Sequence, residues 1–98
     1  MAELIRVLPA SYGTADWRVE FVDGKYICDI RLEISSMLNA SRYYVLLDGV
    51  LGKEGTFTFS VWDHDAIREL LTAIVRSMYA EARVEVRLPQ QPGRATGS

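Results

Sequence analysis

Two runs of alternating residues meet at Asp23-Gly24, and this junction constrains the fold more than any other feature of the chain. Before it, Trp17, Val19 and Phe21 alternate with Arg18, Glu20 and Val22. After it, Tyr26, Cys28, Ile30, Leu32 and Ile34 alternate with Lys25, Ile27, Asp29, Arg31 and Glu33. A period of two places each set on its own face of a strand. Asp-Gly between such runs signals a two-residue hairpin, because a type I′ turn needs positive φ at both central residues. The pattern predicts an antiparallel hairpin over 17–34.

The remaining segments attach to this hairpin. Residues 3–8 read as a strand stopped by Pro9, and 10–16 as a loop of small and polar residues. Residues 42–51 read as a third long strand. Gly52-Lys53-Glu54-Gly55 reads as a four-residue hairpin loop, after which 56–62 returns as a strand. That strand carries Phe57, Phe59 and Val61 on one face and Thr56, Thr58, Ser60 and Trp62 on the other. Asp63 or Asp65 caps a helix running to about residue 81. Its apolar stripe is Ile67, Leu70, Leu71, Ile74, Val75 and Met78. A last strand over 83–88 ends at Pro89. The expected fold is α+β: a mainly antiparallel sheet of five to six strands with one long amphipathic helix on one face. The domain spans 1–88, and 89–98 is expected to be a disordered tail.

One helix covers one face of such a sheet and leaves the other open. The residues expected there are Arg18, Glu20, Val22, Lys25, Ile27, Arg31, Tyr44, Leu46, Thr56, Thr58, Ser60 and Trp62. That mixture is too apolar for a purely solvated surface. A one-residue slip would exchange Tyr43 and Tyr44 between the faces.

Catalytic apparatus is missing from the sequence. His64 is the single histidine and no Gly-x-Ser-x-Gly elbow accompanies it. The segment before the helix, Ser60-Val61-Trp62-Asp63, has no glycine with which to cradle phosphate. Asp63-His64-Asp65 supplies too few ligands for a metal and suits a helix start, where the dipole favours acid. Cys28, the single cysteine, reads as a buried, inert thiol. Neither an enzyme, a metal nor a cofactor is expected. No basic region with a long apolar stretch opens the chain, and no run approaches the roughly 20 apolar residues of a membrane span. The expectation is a cytoplasmic protein without a membrane partner.

Binding is what remains. A chain of 98 residues has a small core, and one cysteine and one histidine allow neither an intrachain disulfide nor a zinc framework. With 49% hydrophobic residues, self-association into a homo-oligomer is the expected source of added stability. The net charge is −2, yet nine arginines stand against two lysines. Arginine suits planar contacts to phosphates, bases and interfaces. Arg18, Lys25, Arg31, Tyr44 and Trp62 on adjacent strands would form an aromatic and basic platform for single-stranded DNA, with RNA as the variant. The competing expectation is a protein-interaction module, a small inhibitor or accessory subunit, using the same open face.

The order of elements resembles the ThermoDBP-related single-stranded-DNA-binding proteins of hyperthermophilic archaea. The likeness lies in the hairpin over 17–34, a second hairpin over 43–62, one amphipathic helix and a closing strand. It implies sequence-independent binding of single strands between the subunits of a symmetric homo-oligomer. It also implies an archaeal, thermophilic source.

Overall fold

Alternating residues pair into a sheet whose register can be followed strand by strand. The computed structural model describes residues 3–10, 16–33, 41–57 and 64–88. The strands are β1 (Leu4–Pro9), β2 (Asp16–Phe21), β3 (Tyr26–Glu33), β4 (Ser41–Leu47), β5 (Val50–Phe57) and β6 (Arg83–Val86), with helix α1 (His64–Met78) between the last two. They form one sheet in the order β5-β4-β3-β2-β1-β6. The sheet is mixed: β6 pairs with β1 in parallel, and the other four pairings are antiparallel. The parallel pair follows from the long return through α1, which carries the chain from the β5 edge to the far side of β1. At 15 residues the helix is shorter than expected: it ends at Met78, with the apolar stripe, and not at about residue 81. The expected tail over 89–98 lies outside the described residues.

The core lies between α1 and one sheet face. Ile5, Val7, Trp17, Val19, Ile30, Leu32 and Val45 meet Ile67, Leu71, Ile74 and Val75. Four members of the predicted helix stripe are thus buried, whereas Met78 is exposed at the helix end. Asp65 in the first turn and Arg76 in the last oppose the helix dipole's partial charges. Edge-to-face packing of Phe21 on Tyr79, at 5.8 Å and 76°, joins the helix end to β2.

Two local readings are corrected. The Asp23-Gly24 loop is not a two-residue turn. Phe21 O accepts from Gly24 N–H, and Phe21 N–H donates to Lys25 O, which closes a three-residue loop over Val22, Asp23 and Gly24. Only Gly24 has positive φ there (94°). This is a type I turn followed by a left-handed glycine. It sets Glu20 opposite Tyr26, while Val19 stands opposite Cys28, so Ile27 is an extra residue in a bulge. The bulge turns Tyr26 to the open face and buries Ile27, reversing the faces predicted for both.

The second hairpin turns four residues before the predicted loop. Asp48 and Gly49 have φ of 52° and 82°, the positive pair of a type I′ turn, and Leu47 stands opposite Val50. Gly52-Lys53-Glu54-Gly55 is therefore strand, not loop. Gly52 is an extra residue in β5, since Leu46 faces Leu51 and Val45 faces Lys53.

Candidate interaction surface

The open face is a chequerboard of charge. The strand registers place Arg6, Arg18, Arg31, Arg42 and Arg83 there, with Asp16, Glu20, Asp29, Glu33, Glu54 and Glu85. Arg6 stands opposite both Glu20 and Glu85, Arg18 opposite Asp29, Arg31 opposite Asp16, and Arg42 opposite Glu33. Opposite charges on facing positions stabilise a sheet and fix its register, because a slip would bring like charges together. Three of the arginines close ion pairs: Arg6 with Glu85 at 3.1 Å, Arg18 with Glu20 at 2.9 Å and Arg31 with Asp16 at 2.9 Å. The Asp16 bond holds the Arg31 guanidinium protonated further above its ordinary range. Such half-exposed pairs contribute little to stability, since water screens them.

Two tyrosines share this face with Leu4, Leu8, Leu46 and Leu51, and both hydroxyls donate to acids: Tyr26 to Asp29 at 2.6 Å and Tyr44 to Glu33 at 3.1 Å. Arg18 lies over the Tyr26 ring, 5.0 Å from its centroid. The Tyr26 hydroxyl also accepts from Asp48 N–H at 3.2 Å, which ties the second turn to β3. Burial, then the bond to Asp29, raises the Tyr26 pKa. Cys28 lies under the helix, where burial pushes its thiol up to about 11, with Asp29 adding to the shift.

Of the residues expected to bind, Arg18, Arg31 and Tyr44 share this open face, and Arg31 stands directly opposite Tyr44. Lys25 does not join them. It pairs with Phe21 at the three-residue loop, on the helix side of the sheet. Trp62 lies outside the described residues, as do Thr58 and Ser60. Two expected apolar members leave the face, since Ile27 is buried and Val22 belongs to the loop, and Tyr26 joins it; Leu46 stays there, and the registers add Leu4, Leu8 and Leu51.

A second surface was not expected. β2 and β4 run in the same direction, so both Asp-Gly loops stand at one end of the sheet. The helix ends there too, with Tyr79 on Phe21 and Lys53 Nζ donating to Ser77 Oγ. The exposed large apolar residues gather at this end: Val22 (46%), Leu47 (56%), Val50 (68%), Leu51 (50%) and Met78 (37%). Leu47, Val50 and Leu51 form the tip of the β4–β5 hairpin, and β5 is an edge strand. The signal for this surface was Asp48-Gly49, the same dipeptide that marks the first hairpin. Reading it as a turn brings Leu47 and Val50 to a tip.

Two shallow depressions among the described residues hold about 270 and 240 Å³, less than a typical small-molecule site. No described helix is long and apolar enough to cross a membrane. In comparisons with known proteins, no family model matches the chain, and no curated protein or solved structure matches it either.

Proposed function

We propose that this chain is a non-catalytic binding domain whose partner is a protein, engaged at the hairpin end of the sheet. The observation that carries this reading is the gathering of Val22, Leu47, Val50, Leu51 and Met78 at one end of the molecule. Exposed apolar side chains scattered singly need no explanation, but Leu47, Val50 and Leu51 together at the tip of an outer hairpin mark an interaction surface. The open face supports a protein partner over a polyanion, since six carboxylates there oppose five arginines. A phosphate approaching Arg18 or Arg31 would displace Glu20 or Asp16. A base stacking on Tyr26 would displace Arg18.

The second reading is single-strand binding by a homo-oligomer. It is favoured by one observation, the direct apposition of Arg31 and Tyr44. A photo-crosslinking residue placed at Leu51 or at Arg31, in cells that express the chain, separates the two. The protein-partner reading expects adducts from Leu51 that protease removes and nuclease does not. Nuclease-sensitive adducts from Arg31, with salt-dependent binding of oligo-dT in solution, would replace it with the single-strand reading.

A further inference from the structure

The two edges of the sheet are not equivalent. β6 offers only Arg83–Val86, and its Glu85 is already tied to Arg6. Short, charged edges resist further pairing. β5 (Val50–Phe57) has no proline, and among the described residues its stretch 50–56 pairs with β4 on one side only. Strand edges of this length are templates for another strand.

Charge decides which strand fits. Register places Lys53 on the helix face, where it reaches Ser77, and Glu54 on the open face opposite Tyr44. Two copies of β5 pairing antiparallel are related by a two-fold axis that passes through one residue, so that facing side chains share a face. With Gly52 set aside as the bulge, the register of greatest overlap for Val50–Phe57 centres on Glu54 and sets it against its own copy. A shorter register centred on Lys53 does the same to Lys53. Like charges directly opposite are destabilising. The longest register is thus disfavoured for a second copy, and Glu54 and Lys53 would both welcome complementary charge.

Resting on the protein-partner reading above, we propose that β5 takes up an extended strand from a different protein. The incoming strand runs antiparallel to β5. It presents a basic residue to Glu54 and, next in its own chain, an acidic residue to Lys53. Apolar residues follow, reaching Leu51 and Val50, which are half or more exposed. Main-chain bonds supply affinity in this mode, and the alternate side chains supply selectivity.

Two capped peptides test this, Thr-Val-Lys-Glu-Ile-Val-Thr and its swapped form Thr-Val-Glu-Lys-Ile-Val-Thr, titrated into isotope-labelled protein and followed by amide chemical shifts. The first peptide should perturb the β5 amides and bind about tenfold tighter than the second, since two facing pairs change from attraction to repulsion. In the double variant K53E/E54K the preference should invert. No response at millimolar peptide, or a preference that the double variant leaves unchanged, overturns the proposal. If protease-sensitive crosslinks from Leu51 persist in that case, the strand pairing alone is wrong. If they are absent as well, the protein-partner reading fails with it.

Discussion

The two hairpins carry the same Asp-Gly dipeptide and are built differently. At the edge of the sheet, Asp48 and Gly49 both adopt positive φ and close a two-residue turn. At the centre, Asp23 keeps negative φ, Gly24 alone is left-handed, and the loop has three residues. The Asp23 carboxylate accepts from Lys25 N–H at 2.9 Å and stabilises the longer loop. Its extra residue would shift the whole central register by one and set Trp17 and Cys28 on opposite faces of the sheet. The bulge at Ile27 cancels that shift, so Val19 faces Cys28 as a two-residue turn would also have placed them. An Asp-Gly pair therefore predicts that a chain turns, while the flanking core residues decide how many residues the turn takes.

The largest effect expected from this contrast concerns burial. Trp17 in the central hairpin is fully buried, and Leu51 in the edge hairpin is half exposed. Trp17→Ala should cost about 3–5 kcal/mol in urea unfolding, through lost burial and the cavity left behind. Leu51→Ala should stay within about 0.5 kcal/mol of the parent. A comparable loss at Leu51 would mean that the hairpin tip is structural and not an interaction surface.

Legibility follows the same division. The central strands were readable because their alternation is strict and their apolar face is buried: Trp17, Val19, Cys28, Ile30 and Leu32 all lie where period two puts them. The helix stripe was readable for the same reason. The edge hairpin was not, because Tyr43, Tyr44, Val45, Leu46 and Leu47 form an unbroken apolar run that hides the period. Two glycines in β5 then imitate a loop. Bulges were the other source of error. Ile27 and Gly52 each insert one residue, and a single insertion exchanges the faces of its neighbours. The open face was legible in Arg18, Glu20, Arg31 and Tyr44, and alternation set Asp29 and Glu33 beside Arg31. The facing of Arg31 with Asp16 and of Arg6 with Glu85 was not, because register between strands brings them together.

The glycines of the edge hairpin differ from one another, which sharpens the comparison. Gly55 faces Tyr43, and a Cβ there would come within 2.5 Å of the Tyr43 ring. The ring covers the glycine, as aromatic residues do on strands that lack a side chain to pack. Gly55→Ala should therefore cost about 1–3 kcal/mol, with Tyr43 forced off its position. Gly52 has only the Val45 carbonyl oxygen nearby, at 3.7 Å from such a Cβ. Gly52→Ala should remain within about 0.5 kcal/mol. Equal losses at the two positions would show that the bulge itself requires glycine.

The smallest effect is the most direct test of the two turn types. Asp48 holds a left-handed conformation that costs an ordinary residue about 1–2 kcal/mol and glycine none. Asp48→Gly removes that strain and adds the entropy glycine loses on folding, about 0.5–1 kcal/mol. The two nearly cancel, so unfolding free energy should change by less than about 0.5 kcal/mol. Asp23 has no such strain to release. Asp23→Gly adds the same entropic cost and also removes the bond to Lys25 N–H, for a combined loss of about 1 kcal/mol or more. Paired urea titrations should therefore rank Asp48→Gly above Asp23→Gly. The reverse ranking would assign the left-handed aspartate to the central hairpin, and equal losses would give both hairpins the same turn. In the first case Tyr26 would return to the buried face, and the chequerboard of the open face would lose its stacked arginine.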